Sequence, residues 1–207
     1  MLKRAFDIIC SGLAMVIFLP LLFLVLLFCH RVVAQSNPRE TSKENRFKNS
    51  ISTDPLLPVF NSFALVYEHS SNSASGWILG FWYGKSNSTY PGMIEYPGYI
   101  RNYSPILAYR RYFWRNLHAE YQIYPGYSRF YEATVNKYFN SFSLFNELRV
   151  GYKFDFRIRS LPLMLNLQWP LGFTIYESNE PESFREIRKQ DPLFYIFFPN
   201  IYLGFRY

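Results

Sequence analysis

The sequence predicts an all-β fold: an eight-stranded antiparallel transmembrane β-barrel, an up-and-down meander preceded by an N-terminal hydrophobic segment. Three observations predict it. The chain closes on a two-residue alternation, with Ile201, Leu203, Phe205 and Tyr207 apolar or aromatic and Tyr202, Gly204 and Arg206 between them. The same period recurs upstream, most clearly from Leu161 to Tyr176. The segments between alternating stretches are short and long in turn.

Composition agrees. Aromatic residues make up 21% of the 207 and charged residues only 18%, against ~25% charged in a typical soluble domain. Mean hydropathy is nevertheless −0.10. A helical membrane protein of this length would show several apolar runs of ~20 residues, and here there is one. Many aromatics, average hydropathy and a single run fit strands with one apolar and one polar face. The net charge of +7 is scattered. Without a Lys/Arg tract, the reading is solvated or interfacial charge and no nucleic-acid partner.

The chain divides into three parts. Residues 1–34 form a signal peptide or membrane anchor helix. Lys3 and Arg4 precede an apolar run from Ile8 to Phe28, and Val32-Val33-Ala34 offers a cleavage site before Gln35. That layout favours cleavage after Ala34, while the length of the run also suits a retained spanning helix. Residues 35–46 form a polar linker. Residues 47–207 form the barrel domain. Both cysteines, Cys10 and Cys29, lie in the leader. A mature chain would therefore have no disulfide, thiolate nucleophile or cysteine metal site.

In order, the expected strands begin with Phe47–Thr53 and a stretch on Phe63, Leu65 and Tyr67. The third is Trp77, Leu79, Phe81 and Tyr83, alternating with Ile78, Gly80, Trp82 and Gly84. The fourth lies near 105–113 with Arg110 inward, and the fifth is on Leu117, Ala119, Tyr121 and Ile123. Phe142–Phe156 carries one apolar face, with Asn146 the exception. Its other face, with Glu147, Arg149, Lys153 and Asp155, cannot meet hydrocarbon. In Leu161–Tyr176 every odd residue is apolar; Pro170 cannot donate to a ladder and is expected near the outer interface at a bulge. The C-terminal strand is the eighth. The connections are then 54–60, 71–75, 84–104, 114–116, 125–141, 156–160 and 176–194. Short turns on one side and long loops on the other are the arrangement of a membrane barrel.

On these features, residues 47–207 resemble the small outer-membrane β-barrel proteins of Gram-negative bacteria. The resemblance implies export to the bacterial outer membrane, contact with its lipid, and recognition of the last strand by the barrel-assembly machinery. Ile201, Leu203, Phe205 and Tyr207 are the residues that match that assembly signal, with Tyr where Phe or Trp is commoner. Residues 1–28 separately resemble the membrane segment of bacterial sugar-phosphate transferases. They share Lys3-Arg4-Ala5-Phe6-Asp7-Ile8, then Ser11 and Pro20. The Ser of that family's Ser-Pro break is Leu19 here, and nothing downstream resembles its catalytic domain.

Eight strands close a lumen that side chains nearly fill, so an open pore is not expected. The expected inward polar network is Glu68, Arg110, His118, Glu120, Glu147, Arg149, Lys153, Asp155 and Arg206. Its charges need partners, and a salt-bridged plug is the simplest reading. No catalytic, cofactor or metal residue is assigned, and no cofactor is implied. The best-supported function is a non-enzymatic structural or surface-recognition role. An extracellular ligand would bind through loops 84–104, 125–141 and 176–194, where Tyr-Pro-Gly recurs and loops carry function. The alternatives are a lipid-modifying barrel enzyme and an inner-membrane-anchored relative of the transferases.

Overall fold

The computed structural model describes residues 48–72, 74–88 and 95–207. The leader 1–34, the linker 35–46 and the Tyr90-Pro91-Gly92 motif lie outside the described residues. The strands are β1 (Asn49–Thr53), β2 (Ser62–Asn72), β3 (Ser75–Ser88), β4 (Glu95–Trp114), β5 (Leu117–Glu132), β6 (Lys137–Ile158), β7 (Leu161–Ser178), β8 (Tyr195–Ile196) and β9 (Asn200–Arg206). One short helix, α1 (Glu182–Arg188), and a 3-10 turn (Leu57–Phe60) lie between strands. Among the described residues, no helix is long and apolar enough to cross a membrane.

All nine strands belong to one antiparallel sheet. Each strand from β1 to β7 pairs with the next, and β9 pairs with both β7 and β1. Eight strands therefore form a closed ring, with β8 attached to β7. The connections 115–116 and 159–160 are two-residue turns, with Arg115 and Arg159 at φ 50 and 58. That left-handed conformation is what tight hairpins require. Connections at the other end, 54–61, 89–94, 133–136 and 179–199, are all longer. The two ends are called lower and upper below.

Two expected loops are mostly strand. Within 84–104, β3 runs up to Ser88 and β4 starts at Glu95; within 125–141, β5 continues to Glu132 and β6 starts at Lys137. The expectation placed the recurring Tyr-Pro-Gly motifs, Tyr96-Pro97-Gly98 and Tyr124-Pro125-Gly126, in or at the start of those loops. Here the prolines face outward and the glycines inward, within alternating strands. A Cβ on Gly98 would collide with the carbonyl of Tyr131, so glycine serves close strand approach rather than a turn. Pro105 and Pro125 fall opposite each other, and the β4–β5 pairing skips from Tyr103↔Tyr127 to Leu107↔Ile123. Two residues without N–H groups thus share one interruption.

Two smaller expectations are also corrected. Pro170 sits in register opposite Arg149, and the irregularity lies higher: Leu144 faces Tyr176 but Phe145 faces Thr174, which leaves Ile175 as the extra residue. The closing strand is broken in two. Gln168 faces Asn200 while Leu171 faces Ile196, a slip of one residue across the segment holding Pro199.

Alternation places one residue set inside the ring and the other outside, and the polarity of the two sets is the reverse of a soluble core. Inside, Glu68, Arg110, Glu120, Arg149 and Lys153 are almost fully buried. Outside, Trp77, Leu79, Val150 and Ile175 are each more than half exposed. Against the buried charges packs an apolar cluster of Ala64, Val66, Ile78, Ile106 and Ala108 with the rings of Tyr124 and Tyr202, whose hydroxyls join the charges. Above that, Phe184 of α1 packs with Tyr96, Ile100 and Phe130, with ring centroids 5.6 Å and 4.8 Å from Tyr96 and Phe130. The helix fills the upper mouth of the ring.

Glycines make room for the larger inward groups. Gly151 on β6 sits in register between His118 on β5 and Gln168 on β7. A Cβ there would lie 2.8 Å from His118 Nε2. Gly151→Ala is therefore expected to lower stability by about 1–3 kcal/mol through overpacking. Equilibrium urea unfolding of refolded protein would measure it, and wild-type stability would show that His118 and the Leu167 carbonyl, 2.5 Å from the same Cβ, both yield freely.

Candidate functional site

The interior network is built from alternate residues of seven strands. Glu68 on β2 is its most connected carboxylate. It accepts from Arg110 Nη1 at 2.6 Å, Lys153 Nζ at 2.9 Å, Tyr112 Oη at 2.8 Å and Ser50 Oγ at 3.4 Å. Lys153 lies on β6, four strands from β2 around a ring of eight, so this ion pair crosses the lumen. Arg110 turns its other face to Glu120, at 2.6 Å from both Nε and Nη2. One guanidinium thus clamps two carboxylates, Glu120 from the adjacent β5 and Glu68 from β2, two strands away on the other side, the fork geometry that suits arginine.

Arg149 anchors a second group. It donates to Glu147 at 2.8 Å, Tyr124 Oη at 2.7 Å, Gln168 Oε1 at 2.7 Å and Tyr202 Oη at 3.0 Å. Gln168 joins the two groups, because its amide also donates to Glu120 at 3.0 Å. Gln122 donates to Glu120, and Tyr124 to Gln122. His118 is fully buried. Its Nδ1 lies 3.3 Å from the Asn116 carbonyl, and its Nε2 lies 3.3 Å from the Gln168 amide nitrogen. A carbonyl only accepts and an amide NH₂ only donates, so these contacts assign a neutral imidazole with its proton on Nδ1. At the lower end Arg206 pairs with Asp155 at 2.9 Å.

All nine expected inward residues face the interior. Seven join one bonded web, and Asp155 and Arg206 make a pair of their own below it. Glu68, Glu120, Glu147 and Asp155 balance Arg110, Arg149, Lys153 and Arg206, four charges of each sign. Sequence reasoning missed the neutral members: Ser50, Tyr112, Gln122, Tyr124, Gln168 and Tyr202. Tyr112, Gln122, Tyr124 and Tyr202 carry the parity of the charged residues on their strands, and Gln168 lies opposite the apolar face of β7; that was the available signal. A cavity of about 10 Å³ remains between Glu68, Arg110, Glu120 and Gln122, room for about one water.

The outer surface carries a second regularity. Tyr121 Oη donates to Asn146 at 2.7 Å, Tyr127 to Asn140 at 2.8 Å, Tyr131 to Asn136 at 3.1 Å and Tyr67 to Asn49 at 2.8 Å. In each case the Asn stands two residues before the register partner of the Tyr. These diagonal pairs satisfy amides on an otherwise apolar surface. Asn146, the exception on the apolar face of β6, is only 1% exposed beneath Tyr121.

The C-terminal residues complete the ring. Ile201, Leu203 and Phe205 lie on the outward face of β9, opposite Leu167, Leu165 and Leu163 of β7. Tyr207 closes the β1 side with two backbone bonds to Asn49, at 2.9 and 3.1 Å.

Glu68→Gln removes the charge that Arg110 and Lys153 share. Leaving buried cations underpaired costs on the order of 3–5 kcal/mol, so the variant should unfold at markedly lower urea. Adding Lys153→Met removes one orphaned cation and should recover part of the loss. Equal stability of the single variant and wild type would show that the crossing pair holds nothing together. No family model, curated protein or solved structure matches the chain, so its function is argued from its own geometry.

Proposed function

We propose that the chain is an integral outer-membrane β-barrel whose filled interior gives it a structural or surface-contact role rather than that of a channel. The observation that carries this reading is the inverted polarity: charges paired inside the ring and large apolar side chains standing outside it. In water such an exterior would be a liability of aggregation. Against lipid it is the surface that a spanning strand needs.

The dimensions support the same reading. On the outward face of β4, Arg101 and Arg111 bracket Tyr103, Pro105, Leu107 and Tyr109. Ten residues of antiparallel strand rise about 34 Å. At a tilt of ~40° that becomes about 25 Å, the height of the apolar band of such barrels. Aromatic rings mark both edges of the band. Trp77 and Tyr109 meet at 5.0 Å below, and Tyr83, Tyr103 and Tyr127 form a row above, at 5.2 and 6.3 Å. Aromatic girdles at both interfaces belong to this architecture.

The interior supports a sealed role. The charge web, the apolar cluster packed against it and α1 at the upper mouth leave no room for a water-filled path, and side chains fill small rings of eight strands. The upper portions of β3–β6 continue past the band as a walled platform, where the sequence placed recognition loops. Contact with extracellular partners would use this platform and the 179–199 connection.

Outer-membrane fractions from cells expressing the protein, run on gels with and without boiling, test the architecture. A folded barrel is expected to migrate differently from its boiled form. Recovery in the soluble or inner-membrane fraction with no heat shift would sink the reading. In planar bilayers the reconstituted protein should give no steady conductance. A stable open channel would overturn the sealed interior while leaving the barrel in place.

A further inference from the structure

The upper outer face carries a row of cations. Lys85 on β3 is the register partner of Arg101 on β4, and Arg101 is the register partner of Arg129 on β5. All three have outward parity, one step above the Tyr83–Tyr103–Tyr127 row. Like charges directly opposite on neighbouring strands destabilise a sheet. No carboxylate offsets them. Among the described residues, the sole acidic side chain on the outward faces of β3–β6 is Glu95, six residues above Arg101, about 20 Å along the strand. None of the three forms a salt bridge among the described residues.

Tyrosines hold the cations in place instead. The rings of Tyr99, Tyr131 and Tyr138 form a second row directly above, at 5.2 and 5.1 Å. Lys85 Nζ lies 4.9 Å and the Arg101 guanidinium 5.1 Å from the Tyr99 ring, and the Arg129 guanidinium 4.4 Å from the Tyr138 ring. A cation–π contact orients a cation without neutralising it. The row therefore offers three oriented positive groups, about 10 Å from end to end at ordinary strand spacing, between two aromatic rows.

We propose that Lys85, Arg101 and Arg129 bind the phosphate groups of lipid headgroups in the surrounding outer leaflet. This rests on the membrane reading above, which puts the row at headgroup level, just beyond the apolar band. The two arginines supply forks for phosphate oxygens, and Lys85 supplies a point charge. The face points away from the lumen, so its ligand comes from the bilayer. Arg111 is the outward cation at the lower edge of β4, and its register partners, Ser75 and Ala119, are uncharged. The threefold charge is thus confined to one interface.

The test uses the full chain, purified and reconstituted into nanodiscs of phosphatidylcholine alone or with phosphatidylglycerol, and native mass spectrometry of the retained lipid. Wild type should keep phosphatidylglycerol selectively and unfold at higher temperature in the anionic discs. A basic residue near an anionic surface favours it about fivefold. The triple variant K85Q/R101Q/R129Q should therefore lose selectivity by roughly a hundredfold, while Arg111→Gln keeps most of it. In neutral detergent the triple variant should be at least as stable as wild type, since the repulsion is relieved. Insertion with no lipid preference overturns this proposal alone. Inorganic phosphate giving the same stabilisation in neutral discs overturns the lipid as its source. Failure to insert at all overturns the barrel reading and this proposal with it.

Discussion

The charge web inside the ring is arranged around one carboxylate. Glu68 receives Arg110 from one side and Lys153 from across the lumen, and Arg110 passes the connection to Glu120. A small ring filled with charge cannot rely on oily collapse. Its inward groups must satisfy one another, because desolvating an unpaired charge costs more than burial returns. This explains why each acid of the web meets a base. It also explains the neutral residues that join them: tyrosines and glutamines occupy the lone pairs and protons that the charges leave over. The inward glycines of β3, Gly76, Gly80 and Gly84, leave space next to that web, and a Cβ on Gly76 would stand 3.3 Å from a Glu68 oxygen.

The charge web was legible because each strand states its parity locally. Phe142–Phe156 separates Glu147, Arg149, Lys153 and Asp155 from the aromatic face within a few residues. What local parity cannot state is height. Whether a strand stops at Tyr124 or continues to Glu132 depends on what its inward residues meet. Ile100 and Phe130 meet Phe184, which reaches them from a helix in the last long connection. That contact favours extension at the very place where Pro-Gly suggested a turn. The broken closing strand was hidden for a related reason: the slip between β8 and β9 is visible only against β7.

The wall of the ring is uneven. β4 to β7 run 16–22 residues each, whereas β1 and β9 have five and seven. The low side is finished by connections instead of strands. Residues 54–61 hold Val59 and Phe60, and 189–199 holds Leu193, Ile196 and Phe198, all exposed. Phe194 folds back onto the outward Phe173, with centroids 5.9 Å apart. These segments extend the apolar exterior where the strands are short. The tall side continues above the apolar band as paired tyrosines and cations.

Polar groups on the outer face separate into two kinds, and the difference is one of supply. Asn49, Asn136, Asn140 and Asn146 each accept a hydrogen bond at Oδ1 from a tyrosine of the neighbouring strand, so the protein itself supplies a donor to each. Lys85, Arg101 and Arg129 receive only ring faces, which leaves their positive charge uncompensated. A chain that provides a donor for four outward amides, yet no carboxylate for three aligned cations, treats the two cases differently. The distinction follows charge and not height: Asn140 is the register partner of Arg129, and Asn136 stands above it. A neutral amide oxygen can be met by one hydroxyl of the neighbouring strand, whereas an unpaired cation is open to anionic headgroups. The Asn–Tyr diagonals and the cation row thus differ in what they leave open: the amide oxygens have donors within the protein, and the three cations keep a charge that only a ligand from outside would neutralise.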